Sequence, residues 1–303
     1  MSEIALALGG GGIKGIAHIG VINRLEKEGF RIRAVAGTSA GGLVGAIYAA
    51  GYSVEEISEV MCHIDQSRMF TRGANDGPSL LGIQGIVHTL SNLLGNCTFQ
   101  DLKLPFACTA VDIKTAKEMV FTNGSLMDAI EATIAVPGIF PPKVIGPYML
   151  VDGSVLDPVP VKLTRYLSPT LPVIAICLTP EPDEWKYMPT IKIPVPGPIP
   201  SPIIEQFSKM RIGQAAKIFS RSMDITSHMV AELRLQIDLP DVLIRPDVER
   251  LSILDKVYPK ELISIGEAAV ENAIPILKQA LSWPNQISRQ FRKGSLPGEI
   301  LIN

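Results

Sequence analysis

The pentapeptide Gly37-Thr38-Ser39-Ala40-Gly41 constrains the fold of this chain more than any other stretch. It follows the apolar run Arg33-Ala34-Val35-Ala36 and opens an apolar helical stretch from Gly42 to Ala50. A strand that turns sharply into a helix strains its turn residue, and only small neighbours at −2 and +2 let the two elements approach. A second turn of this kind lies upstream. The apolar run Ile4 to Leu8 enters Gly9-Gly10-Gly11-Gly12, and an amphipathic helix follows from about Ile13 to Gly29. Two strand-turn-helix units in succession predict parallel strands with right-handed connections, and hence an α/β fold.

The remaining periodicity extends that pattern. Helices are expected over Val54 to Ile64, Ser125 to Ile134, about Ile203 to Leu235, and Lys260 to Trp283, with Ser125 as a cap and Asp128 in the capping-box position. Strands are expected at Pro105 to Asp112, Glu118 to Thr122, Tyr148 to Val151, Pro172 to Leu178 and Val242 to Ile244. From Ser67 to Gly95, glycines interrupt apolar residues, which suggests a mobile cover and a short helix. Proline density from Pro180 to Pro202 excludes a regular helix there. The expected organisation is a catalytic core over 4–179, a Pro-rich flap or connector over 180–204, a C-terminal helical part of the same domain over 205–283, and a peripheral tail over 284–303.

Composition narrows the classes of function. A chain of 303 residues that is 47% hydrophobic can bury one large core. Its net charge of −2, with no Lys/Arg cluster, gives nucleic acid nothing to hold. Cys62, Cys97, Cys108 and Cys177 lie far apart without a C-x-x-C pair, so neither a disulfide framework nor a metal site is indicated, and no cofactor is expected. No apolar stretch reaches the roughly 18 residues of a membrane span, so a cytoplasmic protein is the expectation. The mean hydropathy of +0.26 leaves room for an apolar pocket or peripheral contact with a membrane surface.

Chemistry can be sought in the two turns. Gly10, Gly12 and Gly15 match G-x-G-x-x-G, but a dinucleotide site would want an acidic residue ending the second strand, which runs instead into Gly37-Thr38-Ser39. The other reading is an oxyanion hole built from the N–H groups of Gly11 and Gly12 at the positive end of a helix. If the first two strands are adjacent, that loop and Ser39 share one edge of the sheet. Ser39 needs a base. His18, His63, His88 and His228 are each expected to be structural, His88 being the hardest to dismiss. Asp152 ends a strand ahead of Gly153, and a desolvated carboxylate there could take the hydroxyl proton directly.

Three segments in order, Gly10-Gly11-Gly12-Ile13-Lys14-Gly15, Gly37-Thr38-Ser39-Ala40-Gly41 and Asp152-Gly153-Ser154, resemble the signature of patatin-like phospholipases, specifically compact bacterial members. Ala17-His18-Ile19-Gly20-Val21, Ala135-Val136-Pro137-Gly138-Ile139-Phe140-Pro141-Pro142 and Asp157-Pro158-Val159-Pro160-Val161 match as well. The resemblance implies a three-layer α/β/α fold with a mainly parallel central sheet. It also implies a Ser39-Asp152 dyad, a Gly10–Gly12 oxyanion loop and a fatty-acyl ester or phospholipid substrate. Lys14, Gly15, Gly37, Gly41 and Gly153 would support the site. Lys14 is expected to anchor the loop, with contact to an anionic head group as the other reading. Ser154 stands where the family usually has Gly or Ala, and its hydroxyl is expected to lower the basicity of Asp152. Asp157 stands in place of the usual Asn and is expected to raise the pKa of Asp152. Acyl transfer, or anion binding without turnover, would use the same parts.

Overall fold

The computed structural model describes residues 2–73, 76–180, 211–282, 289 and 294–301. The Pro-rich stretch expected to form a flap or connector lies almost wholly outside them. Strand β1 (Ser2–Leu8) leads through a 3-10 turn at Gly12–Ile16 into helix α1 (Ala17–Lys27). Strand β2 (Phe30–Thr38) then feeds α2 (Ala40–Ala49). Both faces of β1 are covered, so its sequence is continuously apolar from Ile4 to Leu8 rather than alternating. Ile4, Leu6 and Leu8 join one core cluster with residues of α1 and α2, while Ala7 belongs to another with Val161 and Leu235.

Helix α3 (Val54–His63) starts at a reciprocal capping box between Ser53 and Glu56, and α4 (Gln84–Leu94) is the short helix of the glycine-interrupted region. Strands β3 (Phe106–Asp112) and β4 (Lys117–Phe121) form an antiparallel pair, followed by α5 (Leu126–Thr133). The Ser125 hydroxyl accepts the Asp128 N–H at 3.2 Å as expected of a cap. The Asp128 carboxylate reaches Lys143 at 2.7 Å. Strands β5 (Lys143–Ile145) and β6 (Tyr148–Asp152) make a hairpin, α6 (Val161–Leu167) follows, and β7 (Val173–Ile176) returns to pair with β1. After α7 (Arg211–Asp238) come β8 (Val242–Ile244), α8 (Pro259–Ala280) and β9 (Glu299–Ile300), which pairs with β4. The tail thus adds an edge strand, and Leu301 is buried.

The strand order is β5-β6-β3-β2-β1-β7-β8, with β4 and β9 branching from β3. Pairings along β2, β1, β7 and β8 are parallel, while those of β3 with β4 and β6 are antiparallel. One detail of this sheet positions the site. Residues Cys108 and Thr109 of β3 pair with both β2 and β4, and Ala110 to Asp112 pair with both β4 and β6. A strand has only two edges, so β2 and β6 lie end to end along the same one. Thr38 pairs with Thr109 and Asp152 with Ala110, so the C-terminal ends of β2 and β6 abut.

Helix α8 closes the structure against α1. A Cβ on Gly20 would collide with the Ile263 carbonyl, and one on Gly266 with the Ala17 carbonyl. The two backbones approach so closely that only glycine fits at the crossing.

Candidate active site

Ser39 sits between β2 and α2 with φ 54 and ψ −124, one of three described non-glycine residues with positive φ. A β-hydroxymethyl side chain in this region is strained, and such strain persists only where the surroundings enforce it. The enforcing contacts are identifiable. The Ser39 N–H donates to Thr133 Oγ1 at 2.9 Å, and the Ser39 carbonyl accepts the Leu43 N–H at 3.0 Å. On either side, a Cβ on Gly37 would strike the Gly41 carbonyl, and one on Gly41 the Leu8 carbonyl. Small residues at −2 and +2 are therefore a steric requirement here.

The glycine loop lies beside this turn because β1 and β2 pair in parallel, with Leu8 opposite Gly37. A Cβ on Gly15 would meet the Ala40 methyl, so loop and turn pack directly on each other. Gly12 has φ +59 and lies against Ile253. The Gly9 N–H is donated to the Ile176 carbonyl and the Gly10 N–H to the Pro158 carbonyl, each at 2.9 Å. Of the expected Gly10–Gly12 donors, Gly10 is therefore already engaged. The N–H groups of Gly11 and Gly12 make no hydrogen bond among the described residues.

Asp152 reaches the same place from the other direction, at the end of β6, and is 2% exposed. Its backbone N–H donates to the Ala135 carbonyl at 2.9 Å, which fixes the strand end. Its Oδ1 accepts the Ser154 N–H at 2.8 Å. Oδ2 is buried without a close hydrogen-bond partner. The Ser39 hydroxyl is near enough to stabilise the ionised carboxylate. Burial pushes the pKa of Asp152 up to about 6, against the opposing pull of the Ser39 hydroxyl and of the Ser154 N–H and hydroxyl. Ser154 Oγ occupies the space a Cβ on Gly10 would fill, beside Ser39 Cβ.

Asp157 departs from expectation. It is absent from the causes of the Asp152 shift, because its carboxylate faces away and pairs with Arg234 of α7 at 2.9 Å. Glu118 and Asp238 share that guanidinium at 3.9 and 3.3 Å. Burial raises the pKa of Asp157 despite the Arg234 charge beside it. Its backbone matters more to the site. The Asp157 carbonyl accepts the Thr38 hydroxyl at 2.8 Å, and Thr109 Oγ1 lies 3.0 Å from Thr38 Oγ1. A Cβ on Gly153 would strike Thr109. Thr38, Thr109 and Thr133 thus fasten the two motif turns together, and no spacing in the sequence distinguishes them from ordinary strand and helix threonines.

Three of the four histidines are engaged elsewhere. His18 is fully buried with Nε2 2.8 Å from the Gly9 carbonyl, and burial lowers its pKa to about 4. A neutral ring whose Nε2–H donates to Gly9 steadies the start of the glycine loop. His63 and His228 each bond a carbonyl one turn back in their own helices, and His88 is exposed on α4. Lys14 is buried below the loop, where desolvation lowers its pKa and Asp224 and Asp255 oppose that shift. Among the described residues no cluster of His, Cys, Asp or Glu is arranged to hold a metal ion.

An apolar cavity of about 100 Å³ opens at Ser39. Phe70, Ile86 and Leu90 come from the glycine-interrupted region, and Leu43, Val136 and Phe140 complete much of its wall. Phe70 and Phe140 stack with centroids 5.4 Å apart.

The profile of patatin-like phospholipases matches residues 6–165, a span that contains Gly10–Gly12, Ser39 and Asp152. The chain belongs to the patatin-like phospholipase family. Among curated members of the wider group, an uncharacterised NTE family protein of Mycobacterium bovis is 36% identical over 161 residues, covering 52% of this chain and 44% of the relative. The lysophospholipase NTE1 of Debaryomyces hansenii is 29% identical over 170 residues, covering 52% of this chain and 11% of the yeast protein. The chain therefore spans less than half the length of these relatives. Among solved structures, VipD of Legionella pneumophila superposes with a TM-score of 0.49 at 12% identity, over 92% of this chain and 67% of VipD. The α/β architecture with helices on both sides of the sheet is the patatin fold. No described helix is long and apolar enough to cross a membrane.

Proposed function

We propose that this patatin-like protein is a serine acyl hydrolase acting on fatty-acyl esters of lipids through a Ser39-Asp152 dyad. One observation carries the proposal: a buried carboxylate with its pKa raised to about 6 stands beside a strained serine at the mouth of an apolar cavity. A base of that pKa is mostly ionised at neutral pH yet basic enough to accept a proton as the transition state forms.

In the first step Asp152 accepts the Ser39 proton while Oγ attacks the ester carbonyl. The Gly11 and Gly12 N–H groups receive the developing oxyanion, and the N-terminus of α2 adds its positive dipole end. Collapse of the tetrahedral species expels the alkoxide, which takes the proton from Asp152, and Ser39 is left acylated. Water then repeats the sequence in reverse roles and releases the fatty acid. The cavity walls accept the acyl chain, whose apolar surface gains about 0.8 kcal/mol per methylene removed from water.

Ser39→Ala should abolish hydrolysis of p-nitrophenyl butyrate and labelling by a fluorophosphonate, with a nearly unchanged melting temperature. Undiminished turnover in that variant would remove Ser39 from the mechanism.

A further inference from the structure

Helix α7 carries its exposed apolar residues on the side opposite to the one that packs. Ala231 and Leu235 are buried, Arg234 reaches Asp157, and Asp224 acts on Lys14. At 100° per residue these four positions share one side of the helix. Ile218, Ile225, Met229, Leu233 and Ile237 lie on the other, with exposures of 69, 42, 43, 51 and 71%. A solvent-facing helix ordinarily shows the reverse pattern.

Two of the polar residues on that outer face turn inward, and Gln236 is exposed among the apolar ones. Ser222 Oγ donates to the Ile218 carbonyl and Thr226 Oγ1 to the Ser222 carbonyl, both at 2.9 Å. A hydroxyl turned back onto its own helix presents mostly carbon to its surroundings. Among the described side chains of the strip none is charged and Gln236 is the single exposed amide, so a protein partner would find no ion pair and little hydrogen bonding to set its register. A second copy is disfavoured by area. The strip is ~30 Å long at 1.5 Å per residue and one helix wide, which gives ~300 Å² per copy and ~600 Å² for a pair. Stable interfaces bury roughly 1,200–2,000 Å². A lipid surface requires neither register nor extra area.

We infer that the outer face of α7 is a docking surface for the interface of a phospholipid bilayer, seating the enzyme on its lipid substrate. This choice of occupant rests on the lipid-ester reading above. With its apolar side chains in the acyl boundary, α7 would lie in the membrane plane, as amphipathic interfacial helices do.

The test is sedimentation with large unilamellar phosphatidylcholine vesicles. The protein should bind, and the combined Ile225→Ser, Met229→Ser and Leu233→Ser variant should bind at least tenfold less. Its turnover of soluble p-nitrophenyl butyrate should stay within about twofold of the unmodified protein. Should the triple variant fold poorly, Leu233→Glu alone makes the same test on a half-exposed site. Ser39→Ala should bind vesicles as the unmodified protein does. Vesicle binding without ester hydrolysis by the unmodified protein would defeat the hydrolase reading and leave the docking surface standing. Three results would overturn the docking surface: no binding by the unmodified protein, equal binding by the variants, or a dimer in ultracentrifugation that Leu233→Glu dissociates.

Discussion

Replacing Ser154 with alanine should move the acid limb of the pH–rate profile upward, because the Ser154 hydroxyl is one of three groups that hold the Asp152 carboxylate in its ionised form. A hydrogen bond to a charged acceptor contributes about 1.5 kcal/mol, and one pKa unit corresponds to about 1.4 kcal/mol. The hydroxyl is the weakest of the three, so deleting it while the Ser154 N–H keeps its 2.8 Å bond to Oδ1 should raise the midpoint by at most about one unit, from about 6. At that upper bound the ionised fraction at pH 6 would fall from one half to roughly a tenth, about a fivefold loss, and at pH 7 the loss would be about twofold. Above about pH 8.5 both forms are ionised, and the variant, having the stronger base, should equal or exceed the native enzyme. The assay is kcat/KM for p-nitrophenyl butyrate between pH 5 and 9, which reports the free enzyme. Superimposable profiles, or a uniform loss without a change of midpoint, would refute the assigned role of the hydroxyl.

Further outcomes follow from the same geometry. Asp152→Asn should lower kcat by about 10²–10⁴. It should also stabilise the fold at pH 8: the native carboxyl pKa is raised from 3.8 to about 6, so its favourable protonated state is lost as pH rises through that window, at a cost of up to about 3 kcal/mol that Asn does not incur. Thermal unfolding at pH 5 and pH 8 measures the difference, and a lower melting temperature for the variant at pH 8 would contradict it. Gly41→Ala drives a methyl into the Leu8 carbonyl and should destabilise by about 3 kcal/mol or more, read from urea midpoints. Leu90→Trp projects into the cavity and should cut kcat/KM for a dodecanoyl ester about tenfold or more while changing the butyryl ester by less than about twofold, as esterase assays over a chain-length series would show.

Much of this was legible in the chain itself. The two glycine-rich turns declare their strand-turn-helix context, and the pairing of β1 with β2 follows from their being consecutive. Asp152 was legible as a strand-end carboxylate, because that inference needs no long-range contact. Glycines at 37, 41 and 153 carry a local signal that the structure explains as backbone collisions. The hairpin of β5 with β6, by contrast, was not marked, since Lys143–Ile145 is too short for a period to register. Nor could sequence spacing reveal that the Gly10 N–H is engaged by Pro158, 148 residues away in the chain.

What the amino-acid sequence determined alone is therefore the inventory: a parallel α/β core, a serine in a strained turn, an amide-rich loop, and a carboxylate without histidine. Those depend on local backbone sterics and on apolar periodicity, which neighbouring residues suffice to express. What the tertiary structure decided is which groups meet. Asp152 faces Ser39 because β6 continues the line of β2 along one edge of β3, while Asp157, five residues later, turns to Arg234. Burial then raises the pKa of Asp152, and burial belongs to the packed molecule and to no single segment of the chain.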